Sequence, residues 1–134
     1  MPKSFRCVSD LEAPDGTTNY LAVVGDETIW PPVGYRNGAD LKDGTSNTIL
    51  VVETTGSNIN WLEPRDLDFA TMSFRINDSQ GDAVRSHHKG GACCWMADAG
   101  RKFFRDDLPP ETLRGLLTIA GGENVSEAVD EWRK

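Results

Sequence analysis

Positive charge is scarce in this sequence: 14 Lys and Arg stand against 21 Asp and Glu, for a formal charge of -7. Phosphate backbones and anionic lipid are repelled on average by such a chain, which excludes nucleic acid as a partner. Long apolar runs are missing as well. The longest, such as Ile49-Leu50-Val51-Val52, fall far short of the roughly 20 residues a bilayer-spanning helix needs, so no direct membrane insertion of this chain is expected. Met1-Pro2-Lys3-Ser4-Phe5 lacks the charged-then-apolar pattern of a leader. As written the chain reads as cytoplasmic, or as cut from something longer.

Cysteine is nearly absent, and the 3 present form no CxxC. An odd count leaves at least one thiol without a partner inside the chain. Cys93 and Cys94 are adjacent, too close for an ordinary bridge, and on a strand they point to opposite faces. His87, His88, Cys93 and Cys94 have the right chemistry for zinc, but their spacing fits no finger pattern. The simpler reading makes one of the pair a small buried hydrophobe and the other a strand filler. No serine stands in a nucleophile elbow, and HExxH, GxGxxG and Walker loops are all lacking. Internal repeats and low-complexity segments are lacking too.

What is present is enough for one core: 134 residues, 38% hydrophobic and 26% charged, reading as one domain over residues 1–134. Residues 19–25 form a valine-rich strand after the Asp15-Gly16 turn. Residues 26–44 hold Pro31, Pro32, Gly34, Gly38 and Gly44, too much punctuation for regular structure. The β-branched run 47–53, entered from Asp43-Gly44, predicts a central strand. Trp61 to Leu67 resumes with large side chains, followed by Phe69, Met72 and Phe74 as a short helix or irregular cover. Residues 92–98 and 101–105 read as a hairpin turning near Ala99-Gly100. Leu113, Leu116, Leu117 and Ala120 have helical spacing, with Pro110 and Glu111 in the first turn and Gly121-Gly122 as the stop. Val125, Ala128, Val129 and Trp132 repeat that spacing and predict a second short helix. The fold class expected is α+β, an antiparallel sheet with short C-terminal helices.

Candidate chemistry is sparse. A histidine oriented by a carboxylate is the core of general-base and metal-site designs, and His88 with Asp98 is the pair to consider, with His87 beside it. The structural alternative has His88 bonding backbone at the mouth of the hairpin that Asp98 closes. Asp66, Asp68, Asn77, Asp78 and Asp82 are hard oxygen donors in loops of the irregular kind calcium accepts, although 77–82 does not match EF-hand spacing. Asp43-Gly44-Thr45-Ser46-Asn47 invites a phosphate reading, yet as a turn it needs no ligand. Trp30, Trp61, Trp95 and Trp132 could stack on glycan, but their scatter along the chain favours burial.

Several segments together resemble a known family. They are Phe5-Arg6-Cys7-Val8-Ser9-Asp10, Thr18 through Gly25, Asp43 through Leu50, Trp61-Leu62-Glu63-Pro64-Arg65-Asp66-Leu67, His88 through Asp98, and Leu113 through Thr118 with Gly121-Gly122-Glu123. In this order, over almost the whole chain, they resemble the large planctomycete family of unknown function that carries a pilin-type leader and a C-terminal H-X9-DG signature. The residues matching its motifs are Asp43, Gly44, Asn47, Trp61, Glu63, His88 and Asp98. Glycine is displaced by one place in Asp98-Ala99-Gly100, which argues against a tight positive-φ turn directly after the aspartate. Cys93, Cys94 and Trp95 stand where the family has Asn and aliphatic residues, and Val8 where proline is common.

The resemblance implies a pilin-like plan in which a long N-terminal helix, missing here, covers an antiparallel sheet. It implies an exported envelope or extracellular protein, no enzymatic activity, and assembly with itself or with related pilin-like subunits. Cys7 would then be a thiol whose disulfide partner lay on the missing helix, and loop calcium gains some support from pilin-like proteins of secretion systems. The expectation is therefore a non-enzymatic pseudopilin-type structural domain without a required cofactor. The first alternative is a calcium- or glycan-binding module, and the second a metal-dependent hydrolase using His88 and Asp98.

Overall fold

A computed structural model describes residues 1–121. The second predicted helix, with Val125, Ala128, Val129 and Trp132, lies outside these residues. The scaffold is a four-stranded antiparallel sheet in the order β1 (Tyr20–Leu21), β3 (Ile49–Glu53), β5 (Gly91–Met96) and β6 (Arg101–Arg105). The fold class is α+β, as expected, with one short helix, α1 (Pro110–Leu117), among the described residues. No helix among them is long and apolar enough to cross a membrane.

β3 lies between β1 and β5, the central place that its continuous β-branched run predicts. Val52 stands opposite Cys94, and both are fully buried on the inner face. Ala92, Met96 and Phe104 extend that face, and Leu113, Leu116 and Leu117 of α1 close over the core together with Met72, Ile76 and Val84 from the long loops. Each such side chain contributes about 1.5–3 kcal/mol on burial. Cys93 and Cys94 alternate across the sheet as their adjacency requires, and both are buried.

The segment predicted as one strand over 19–25 is two. β1 pairs with β3, whereas β2 (Val23–Val24) pairs in parallel with β4 (Leu67–Asp68), a short strand the sequence did not signal. The break falls at Ala22, whose N–H donates to the Asp66 carboxylate at 3.0 Å and not to a neighbouring strand. Residues 69–76 are irregular cover. The helix stops before Ala120 because Thr118 is extended and bridges to Thr28, while the Ile119 N–H donates to the Glu27 carbonyl.

The hairpin turn departs from expectation. Ala99 takes φ 67°, so the positive φ directly after Asp98 is kept without glycine. Two bonds hold it there: the Gly100 N–H donates to Asp98 Oδ1 at 2.8 Å, and the Ala99 N–H donates to the Met96 carbonyl at 2.9 Å. The turn geometry of the strands outweighs the steric preference of alanine.

Candidate metal centre on the outer face of the sheet

Residues that alternate with the core positions build the outer face. Tyr20 stands opposite Glu53, Val51 opposite Trp95, Cys93 opposite Phe103, and Trp95 opposite Arg101. A register shift between Ile49 and Val51 turns Leu50 onto this face beside Val51. The N-terminal segment, Ser4 to Val8, runs along one side and encloses a cavity of about 660 Å3.

Three side chains from three distant segments meet in its wall: Cys7, Glu53 and His88. The His88 Nε2 lies 3.4 Å from Cys7 Sγ and 3.7 Å from Glu53 Oε1. Its other ring nitrogen, Nδ1, is 3.3 Å from Ser9 Oγ. Glu53 is fully buried; its Oε2 accepts the Cys93 N–H at 3.1 Å, and its Oε1 has no hydrogen-bond partner. A buried carboxylate oxygen in that state is costly unless a charge compensates it.

Cys7 is placed by a buried polar relay. Its N–H donates to Asn19 Oδ1 at 2.7 Å, the Asn19 amide donates to Asp10 Oδ2 at 2.8 Å, and His87 Nε2 approaches Asp10 Oδ1 at 3.4 Å. The Asn19 N–H also holds the Phe5 carbonyl, which stitches the segment to the sheet edge. The electrostatics follow from this crowding of acids in a dry place. Burial, then the neighbouring Glu53, pushes the Cys7 thiol above its usual range. Burial and Glu53 raise Cys93 to about 11. Tyr20 is raised by burial first, and further by Cys7, Glu53 and Cys93.

The residues singled out from sequence fall in different places. His88 is in the centre. Asp98 is not: β5 separates them, so they stand roughly 20 Å apart along the strand and share no site. The His88 ring meets the side chains of Cys7, Ser9 and Glu53. Asp43 holds the C-terminal segment, its Oδ2 accepting the Gly121 N–H and its own N–H donating to the Ile119 carbonyl. Gly44 takes φ 88° in that turn, and Asn47 closes it by donating to the Asp43 carbonyl. Trp61 stacks obliquely on Phe5 at 5.8 Å, and Glu63 pairs with exposed Arg65 at 2.6 Å.

Of the loop acids, Asp66 accepts from Ala22, Asp78 accepts from Ser73 and Gln80, and the Asp82 carbonyl accepts from Ser73. Cys94 faces the core and His87 turns to Asp10, so neither joins His88 in one ligand set, while Cys93 lines the same cavity outside the group that converges. Sequence reasoning missed Glu53 as a site residue. The signal was there: a carboxylate ending an apolar strand, on the same face as Val51. Cys7 carried no local signal toward His88. Comparison with protein-family models, with curated proteins and with solved structures finds no match to this chain.

Proposed function

We propose that this chain is a non-enzymatic, pilin-like domain that assembles with copies of itself or with related pilin-like subunits at the cell envelope. The observation that carries the reading is the outer sheet face. Tyr20, Leu50, Val51 and Trp95 line an open apolar trough there and are only partly buried, although Leu50, Val51 and Trp95 belong to the two central strands. A sheet of this kind buries an apolar face when a helix lies across it, and an apolar helix from a pilin-like subunit matches the chemistry of this trough. The chain's acidic charge supports the same reading, since it repels phosphate backbones and anionic lipid on average.

Light scattering of the purified chain over a wide concentration range tests this. Concentration-dependent self-association is expected, weakened at least tenfold by Val51→Glu, which places a charge on the trough with no change to the inner core. A wild-type chain that stays monomeric throughout and binds no apolar dye sinks the proposal.

A further inference from the structure

We propose that Cys7 Sγ, Glu53 Oε1 and His88 Nε2 bind a divalent transition-metal ion of the zinc class. In a tetrahedral zinc site, bond lengths of about 2.3 Å to sulfur and about 2.0–2.2 Å to nitrogen or oxygen separate neighbouring ligand atoms by about 3.3–3.6 Å. The observed separations are 3.4 Å for sulfur to nitrogen and 3.7 Å for nitrogen to oxygen, and all three ligand atoms lie within 4.8 Å of one another. Among the described residues this is the group of three or more such ligands that converges.

Direct hydrogen bonding, that of the Cys7 thiol with Glu53 included, accounts for only part of the arrangement. Nε2 carries either one proton or one lone pair, yet it faces a sulfur and a carboxylate oxygen at once. Glu53 Oε1 is buried, without a hydrogen-bond partner, and 3.7 Å from His88 Nε2. A cation among the three ligand atoms engages them all. One thiolate and one carboxylate balance its two positive charges, so the buried centre is neutral. Binding displaces the Cys7 proton to solvent and changes no oxidation state. In the tautomer that binds metal, His88 Nδ1–H donates a hydrogen bond to the Ser9 hydroxyl 3.3 Å away and the Nε2 lone pair is left for the ion. All three ligands line the cavity, so the fourth position is open to water. The ion cross-links the N-terminal segment, the central strand and the loop before β5.

Cobalt(II), titrated into the metal-stripped full chain, is the probe. A thiolate-to-cobalt charge-transfer band and tetrahedral visible absorption saturating at one equivalent are expected, and zinc should displace both. Cys7→Ser should abolish the charge-transfer band, and Glu53→Gln, nearly isosteric, should weaken binding at least tenfold while circular dichroism stays native. Cys93→Ala should retain the band. The proposal is overturned if wild-type protein gives no thiolate band, if the band survives Cys7→Ser and vanishes in Cys93→Ala, or if folded Glu53→Gln binds as tightly as wild type. None of these readouts depends on self-association, so the centre and the assembly reading fail separately.

Discussion

A single residue in an unfavourable conformation offers the cleanest test of the hairpin. Ala99 sits at φ 67°, where an L side chain costs about 1–2 kcal/mol relative to a right-handed conformation. Glycine loses that penalty but gives back part of it as chain entropy. Ala99→Gly is therefore expected to raise stability by about 0.5–1 kcal/mol in urea denaturation; a loss of stability would mean the turn is not left-handed. Thr28 is a second such position. Fully buried, its Oγ1 donates toward the Val23 carbonyl at 2.8 Å and accepts the Trp30 N–H at 3.2 Å. Thr28→Val keeps the shape and removes both partners, so a destabilisation of about 1–3 kcal/mol is expected from the stranded backbone groups. Cys93 supplies a pH test. Its thiol is raised to about 11 in the fold, against an ordinary value of 9.0 in the unfolded chain. The folded state thus holds a proton that the unfolded state has lost over that window. Stability from this group is complete below pH 9 and falls as pH rises toward 11. Cys93→Ala should flatten the alkaline limb of the stability curve in metal-free protein.

At the scale of elements, β5 and β6 approach closely at Gly91. A Cβ on Gly91 would lie 2.0 Å from the Phe104 carbonyl oxygen and 2.8 Å from the Phe103 ring. Gly91→Ala must therefore push the two strands apart at the start of β5, at a cost of about 1–3 kcal/mol measured by thermal or urea unfolding. Wild-type stability in this variant would show that the strands do not approach so closely. The elements most legible in the sequence are those with a strong local pattern: the Ile49–Glu53 strand, the 91–105 hairpin and the Pro110–Leu117 helix. The errors fall where partners override pattern. The 19–25 run is apolar throughout, and no local feature says that Ala22 will turn to a carboxylate from residue 66. Ala120 continues the helical spacing, yet the extended bridge between Thr118 and Thr28 ends the helix first.

For the whole molecule, the two faces of the sheet divide the work. The inner face is closed by α1 and the loops, whereas the outer face keeps a trough with a cluster of acid, thiol and imidazole in its wall. The trough is where assembly is proposed and the cluster is where metal is proposed, and they share Tyr20 and Glu53 as neighbours across β1 and β3. Metal and an added helix are accordingly expected to be coupled. Zinc added to metal-stripped protein should raise the melting temperature, by an amount that grows with free zinc as mass action requires. Calcium should leave the melting point unmoved, because a thiolate and an imidazole are poor ligands for a hard cation.

The sequence by itself determined the elements with strong periodicity, the alternation that sends Cys93 and Cys94 to opposite faces, and the acidic charge of the chain. Those are local properties, set by side-chain period, turn chemistry and net charge. Only the tertiary structure decided which histidine partner mattered. His88 and Asp98 are ten positions apart in sequence and part company along an extended strand, while Cys7, Glu53 and His88 are brought within bonding reach by strand pairing and by the loop that Asn19 and Asp10 hold down. Such a meeting is fixed by the order of strands in the sheet, and pairing between distant segments leaves no mark in the spacing of residues along the chain.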